Sequence, residues 1–149
     1  MTVITTQTSQ AQTESNRRFI TETFEAWRDG TDALPHAFAP ELVFRIEGRS
    51  AASKEYTSKQ NFIQEFAKPF GARFSKSEPF RPVRIRSVHA DGDMVIVLWD
   101  GRGVATDGQP YENTYAFFMT LRDGKVVAVT SLLDSISLND LWERVQPGG

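Results

Sequence analysis

The sequence predicts an α+β domain with N-terminal helices packed in a curved antiparallel sheet. Three observations carry this expectation. Apolar residues recur at helical spacing in the first half of the chain and alternate at strand spacing in the second. The second half is punctuated by Asp91-Gly92, Asp107-Gly108 and Asp123-Gly124, dipeptides that favour tight β-hairpins. Helices followed by a meander place the helices on one face of a single sheet.

Each element has a local reason. Residues 1–13, rich in Thr, Gln and Ser, are expected to form a mobile tail. ESNRRFITETFEAWRDG reads as a helix with Phe19, Ile20, Thr23, Phe24 and Trp27 on one face. Thr13 or Ser15 can cap its start and Gly30 can end it. DALPHAFAP suggests a short helix with Pro35 in its first turn and Pro40 stopping it. ELVFRIEG follows as a strand with Leu42, Phe44 and Ile46 on one face, then RSAASKEY as a loop. TSKQNFIQEFAKPF reads as a second long helix, capped by Thr57 or Ser58, with Phe62, Ile63, Phe66 and Phe70 as its stripe. RPVRIRSVH, MVIVLWDGRGVAT, PYENTYAFFMTL and KVVAVTSLLDS read as strands. SLNDLWERV closes the chain as a short helix capped by Ser137.

The bulk numbers narrow the function. A chain of 149 residues, 40% hydrophobic and 24% charged, is expected to form one domain with a proper core. A net charge of -2 gives no basic surface for nucleic acid or an anionic membrane. There is no cysteine, and the two histidines stand far apart, so neither a metal nor a cofactor is expected. No run approaches the roughly 18 apolar residues of a membrane span. The start lacks the pattern of a secretion signal, so a cytoplasmic location is expected by default. A bent sheet wrapped around helices leaves a cavity suited to a small molecule.

Register decides which side chains reach that cavity. With Asp107-Gly108 as a two-residue turn, Asp100 faces Tyr115, Arg102 faces Asn113, Leu98 faces Phe117 and Ile96 faces Met119. All of these then share the helix-covered face. Asp100, Arg102, Asn113 and Tyr115 form a polar group at one end of an otherwise apolar cavity. Gly101, Gly103 and Trp99 fall on the opposite face, whose apolar centre is expected to meet a second copy of the chain in a homodimer. For the last strand two registers stay open. A two-residue turn at Asp123-Gly124 turns Leu132 and Asp134 inward. A bulged turn turns Ser131 and Leu133 inward instead.

Asp100 then has two readings. It is either a structural ion pair with Arg102 at a strand end, or a catalytic acid or base. In the second, burial raises its pKa, Arg102 lowers it, and the Tyr115 phenol binds a substrate oxygen. Trp27 is expected in the core and along the pocket wall. Tyr56 is expected to close over the cavity. His36, His89 and the Arg81, Arg84, Arg86 series are expected to pack or face solvent.

FAPELVFRIEG after the first helix, GQPYENTYAF, LRDGKVV and the closing LLDS together resemble the nuclear transport factor 2-like superfamily. The branch it resembles is that of SnoaL-like and ketosteroid-isomerase-related proteins. The resemblance spans residues 14–146 and implies one cone-shaped α+β barrel domain, three helices packed into a curved sheet, and frequent dimers. Its members include isomerases, epoxide hydrolases, polyketide cyclases, dehydratases and non-catalytic binding modules. Asp100 matches the strand position of a catalytic Asp in limonene-epoxide-hydrolase-like members. Their Arg falls at Leu98, their second carboxylate at Ser131, and their water-holding tyrosine and asparagine at Phe44 and Ile46. The ketosteroid isomerase base falls near Ile46. The bulged turn usual in the family favours Ser131 and Leu133 facing in. The reading that follows is a small-molecule pocket for an oxygenated, largely hydrophobic ligand, with Asp100 as acid or base. The alternatives are a non-catalytic carrier or dimerisation module, and a protein-binding domain using the outer sheet face.

Overall fold

The computed structural model describes the backbone of residues 2–148 and the side chains of residues 10–148. A long helix, α1 (Thr2–Arg28), is followed by a single helical turn, α2 (Leu34–Ala37). Strands β1 (Phe38–Ile46) and β2 (Lys54–Tyr56) come next, then a helix in three parts. These are α3 (Lys59–Phe62), a π-helical turn (Ile63–Ala67) and α4 (Lys68–Gly71). The meander β3 (Arg81–Asp91), β4 (Met94–Val104), β5 (Pro110–Arg122) and β6 (Lys125–Leu133) leads to α5 (Ser135–Arg144).

Local chemistry explains these boundaries. Gly30, at φ 104°, ends α1 in a left-handed turn. Its N–H donates to the Trp27 carbonyl, and the Thr31 N–H donates to Ala26. The helix starts earlier than expected, so part of the anticipated tail is helical. Thr13 therefore lies inside α1 rather than capping it, and its Oγ accepts from the Gly92 N–H at 2.8 Å. Asn16 donates to the Gly92 carbonyl at 3.0 Å, so α1 grips the β3–β4 turn. Ser58 caps α3 by accepting from the Asn61 N–H. Pro69 has no N–H to give and would collide with the carbonyl four residues back. The helix widens into its π turn just before this proline, and Lys68 donates to Ile63 five residues back. Asp134, not Ser137, caps α5. Its carboxylate accepts from the Ile136 N–H, and the Ser137 hydroxyl donates to it.

The sheet order is β2-β1-β6-β5-β4-β3. It curves around the helices but stays open at its β2 and β3 edges, rather than closing into the expected barrel. Nor is it wholly antiparallel, because β1 runs parallel to β6. Pro40 does not stop a helix; it sits in β1, which starts at Phe38. The loop read from RSAASKEY ends in the edge strand β2. Ile20 and Phe24 of α1 and Leu138 and Leu141 of α5 are fully buried against the sheet, with Leu42, Val95, Val97 and Met119 beneath them. The alternating burial of β4 and β5 divides the sheet into a concave face under the helices and a convex face outside.

The first two meander turns differ from the expected ones, and the differences move side chains between faces. Asp91 pairs with Met94, so Gly92 and Asp93 form the first corner. A bulge at Arg86 then shifts the register by one, so Arg84 pairs with Asp100. At the second corner Val104 pairs with Pro110, and the Ala105 N–H donates to Gln109. The loop is thus three residues long, with Gly108 at φ 86° as its left-handed residue. The partners become Trp99–Tyr115, Asp100–Thr114, Gly101–Asn113, Arg102–Glu112 and Val97–Phe117. One residue of slip carries every even-numbered β4 side chain to the convex face. At the third corner Asp123 (φ 52°) and Gly124 (φ 76°) form a two-residue turn between Arg122 and Lys125. A bulge at Val127, between the Leu121–Val126 and Thr120–Ala128 pairs, then shifts the register. Ser131 and Leu133 consequently face inward, while Leu132 is 46% exposed.

Candidate functional site

Between the concave face and the helices lies a cavity of about 240 Å³. Its sheet wall consists of Phe44 and Ile46 of β1, Trp99 of β4, Tyr115 and Phe117 of β5, and Ser131 and Leu133 of β6. Its helical wall comes from Phe62, Ile63, Phe66, Ala67 and Phe70 along the three-part helix, with Trp27 from α1. Asp32, Pro35, Pro79 and Phe80 line the loop side. The rings hold one another. Phe44 stacks on Phe62 with centroids 4.0 Å apart, and Trp99 stacks on Tyr115 at 4.4 Å. Trp27 leans on Trp99 at 5.2 Å. Such packing fixes the wall in shape and presents mostly ring faces and edges to an occupant.

The glycines of VLWDGRG belong to this wall, not to the bare outer face expected for them. Gly101 and Gly103 lie on the concave face, at ordinary extended angles, beneath Phe80 and Phe74. A Cβ on Gly101 would stand 2.2 Å from Phe80 Cζ, and one on Gly103 would stand 2.7 Å from Phe74 Cδ1. They are glycines to make room, so that aromatic side chains can lie flat on the strand.

Polar groups around the cavity are few. Ser131 is 1% exposed and lines it. Tyr115 lines it too, and its phenol oxygen sits 2.8 Å from that of Tyr111. Tyr111 accepts from the Asn113 amide at 2.7 Å. Asn113 is fully engaged. Its Nδ2 also donates to the Asp134 carbonyl at 3.0 Å, and its Oδ1 accepts from the Thr114 and Asp134 N–H groups. Burial pushes the Tyr111 phenol up to about 12 and Tyr115 well above the usual tyrosine value, so both stay neutral near pH 7. Among the described residues no cluster of His, Cys, Asp or Glu could hold a metal ion.

The expected cluster of Asp100, Arg102, Asn113 and Tyr115 therefore does not form. Asp100 lies on the convex face. Arg86 grips its carboxylate with Nε and Nη2, both at 2.9 Å, and the Thr114 hydroxyl donates to it at 2.7 Å. Above all the hydrogen bonds from Arg86 hold this carboxyl below its usual range; burial pushes the other way, and the Thr114 hydrogen bond and the Arg86 and Arg84 charges lower it further. Arg102 faces out beside it, between Arg81 and Glu112 on the neighbouring strands. Leu98 also faces out, opposite Ala116. Tyr56 is buried behind the cavity wall, its hydroxyl donating to the Ala52 carbonyl at 2.7 Å. Asn113 points inward but braces the end of β6. Tyr115, Phe117, Trp27 and Ser131 do line the cavity. Sequence reasoning missed Tyr111 and Phe80. The i, i+2, i+4 spacing of Tyr111, Asn113 and Tyr115 was the available signal for a shared face.

A model of the SnoaL-like domain matches residues 17–129. No curated protein matches the chain. Among solved structures the chain is similar to Bal32a, from a soil-derived mobile gene cassette, with 15% identity and a TM-score of 0.69. That alignment covers 88% of this chain and 98% of the other. An NTF2-like protein from Burkholderia thailandensis aligns at 16% identity and a TM-score of 0.68, covering 85% and 95%. TerC, co-crystallised with polyporic acid, aligns at 18% identity and a TM-score of 0.64, covering 86% and 98%. Identities this low carry the fold alone. Among the described residues no helix is long and apolar enough to cross a membrane.

Proposed function

Because the chain belongs to the SnoaL-like domain family, we propose that it is a small-molecule-binding protein whose cavity takes a compact, largely aromatic ligand. One observation carries this reading. The cavity wall is almost entirely ring and aliphatic carbon, and among the described residues its titratable members are only Asp32, which is exposed, and the neutral phenol of Tyr115. At about 240 Å³ the space lies just below the usual range for drug-sized ligands, which suits a two- or three-ring molecule. TerC, similar in fold, was co-crystallised with polyporic acid, a small molecule, which supports the small-molecule reading. General acid–base chemistry by Asp100 has no support, since an occupant of the cavity is separated from it by the sheet. The non-catalytic binding module is therefore the better reading.

Ligand binding is tested with indane, a rigid bicyclic hydrocarbon, by titrating the fluorescence of Trp27 and Trp99 in the cavity wall. The expected result is a saturable change. Ser131→Leu should weaken it by about tenfold or more by occupying the space, while Asp100→Asn leaves it unaltered. No saturable binding, or equal binding by the filled variant, contradicts the proposal.

The convex face supports a second copy of the chain as partner. Ile96, Leu98, Ala116 and Phe118 lie half-buried there, with Leu132 exposed at the margin. Sedimentation equilibrium should return twice the monomer mass, and Phe118→Lys should return the monomer.

A further inference from the structure

A second hollow, of about 230 Å³, opens beside the cavity. It lies between the loop that follows α1 and the chain that leads into β3. Trp27, Asp32, Pro79 and Phe80 line both spaces, so the two adjoin across a largely aromatic boundary. Among the described residues the cavity wall holds no cation, whereas the outer hollow holds Arg81. The guanidinium itself reaches that hollow. Its Nη1 lies 3.3 Å from where a Cβ on Gly30, another lining residue, would stand. Gly30 follows the last turn of α1, so the cation rests at the negative end of a long helix dipole. Elsewhere an arginine of this chain meets carboxylates: Arg86 grips Asp100, and Arg144 grips Asp107 and Asp140. Among the described residues no hydrogen bond or ion pair engages the Arg81 side chain. Its planar fork of donors is therefore free for a partner from solution.

The charges around the hollow set the sign of that partner. Asp32 stands on the boundary with the cavity, exposed, and no ion pair joins it to Arg81. Arg81 pairs across the strands with Arg102, which is also without an ion pair among the described residues. Two cations at the outer side outweigh one carboxylate at the inner side, and the field drives an anion away from Asp32 toward Arg81. A charged group inside the cavity itself would give up its water to a wall of carbon. We propose that the ligand is an amphiphile whose ring body fills the cavity and whose carboxylate sits in the outer hollow against Arg81. This rests on the binding function proposed above and adds a second subsite and the charge it selects. Trp27 and Phe80, with ring centroids 6.2 Å apart, flank the stretch of ligand between the two spaces.

The test uses three probes built on one ring frame and one flexible chain: 4-(indan-5-yl)butanoate, the neutral 4-(indan-5-yl)butanamide, and the cationic 4-(indan-5-yl)butylamine. Calorimetry at low salt should find the butanoate tighter than the butanamide by about 3- to 5-fold, the upper range for an exposed ion pair. The difference should shrink as salt is added. Arg81→Gln should abolish it and leave butanamide affinity unchanged, which also shows that the variant is folded. Arg84→Gln removes an equal charge opposite Asp100 on the convex face and should leave the preference intact. Equal binding of butanoate and butanamide by the wild type overturns the proposal, as does a preference that survives Arg81→Gln or is lost in Arg84→Gln. Tighter binding of the butylamine overturns it too, by making Asp32 the selecting charge. In each of these cases cavity binding stands. Failure of both indane and the butanamide to bind removes the binding function and this inference with it.

Discussion

Replacing Gly101 by alanine tests the architecture through the sign of its effect. On an open strand face the change stabilises, because alanine restricts the unfolded chain, by about 0.4–1 kcal/mol. On the concave face the new methyl meets Phe80 Cζ at 2.2 Å, Phe80 Cε1 at 2.6 Å and Trp99 Cζ3 at 2.9 Å. Gly101 is not among the positive-φ glycines, so the backbone accepts alanine and the whole penalty is steric. Overpacking of this kind costs about 1–3 kcal/mol. Phe80 is only partly buried and can yield somewhat. Subtracting the unfolded-state gain leaves a net loss of roughly 1–2 kcal/mol, or about 2–8 °C in Tm for a chain of this length. Urea unfolding followed by tryptophan fluorescence measures it. The same change in a Phe80→Ala background should lose most of its cost, since the two groups touch. Stabilisation by Gly101→Ala in the parent protein would place that glycine on an open face and refute the concave assignment.

Other expectations concern protonation. The chain has three tyrosines, and burial raises the pKa of each: Tyr56 and Tyr111 to about 12, and Tyr115 well above its usual value. Each folded value lies above the unfolded one, so their contribution to stability is complete below about pH 10 and is lost as pH rises through the folded values. Absorbance at the phenolate band should therefore show no tyrosine ionising near pH 10 in the folded protein; a transition there would count against their burial. The Asp100 carboxyl titrates in the opposite sense. Its folded pKa is depressed by Arg86 and Thr114, so its contribution is present above the ordinary carboxylate value and fades as pH falls through the lower, folded one. Asp100→Asn should flatten the acid limb of a stability–pH curve below about pH 4. An unchanged limb would mean that the Arg86 pair does not form in solution.

Much of the fold was legible because it rests on signals a few residues long. Helical spacing exposed α1 and the three-part helix, and period-two alternation with Asp-Gly corners exposed the meander. The corners themselves were not legible. Asp107-Gly108 fits a two-residue turn and also a three-residue loop ending in a left-handed glycine. Nothing local separates the two, yet the choice moves Asp100, Arg102 and Leu98 to the other side of the sheet. The inward placement of Tyr115, Asn113 and Phe117 survived because the odd residues of β5 carry its large rings. On β4 the apolar residues of VIVLW are continuous, so its two faces looked alike. The inward turn of Ser131 depended on the bulge at Val127, for which KVVAVT carries no mark. Gly101 and Gly103 could be read as an open face or as room for a ring, and Phe80, the ring concerned, is far away in sequence.

The central claim is that Trp99 and Tyr115 share the cavity while Asp100 stands outside it. The most direct measurement is a set of cross-strand nuclear Overhauser contacts in isotopically labelled protein. Contacts between the Trp99 and Tyr115 rings and between the Val97 methyl groups and the Phe117 ring, with Asp100 Cβ protons meeting Thr114 and not Tyr115, are the predicted result. Contact between the Asp100 and Tyr115 side chains would contradict it and return the carboxylate to the cavity.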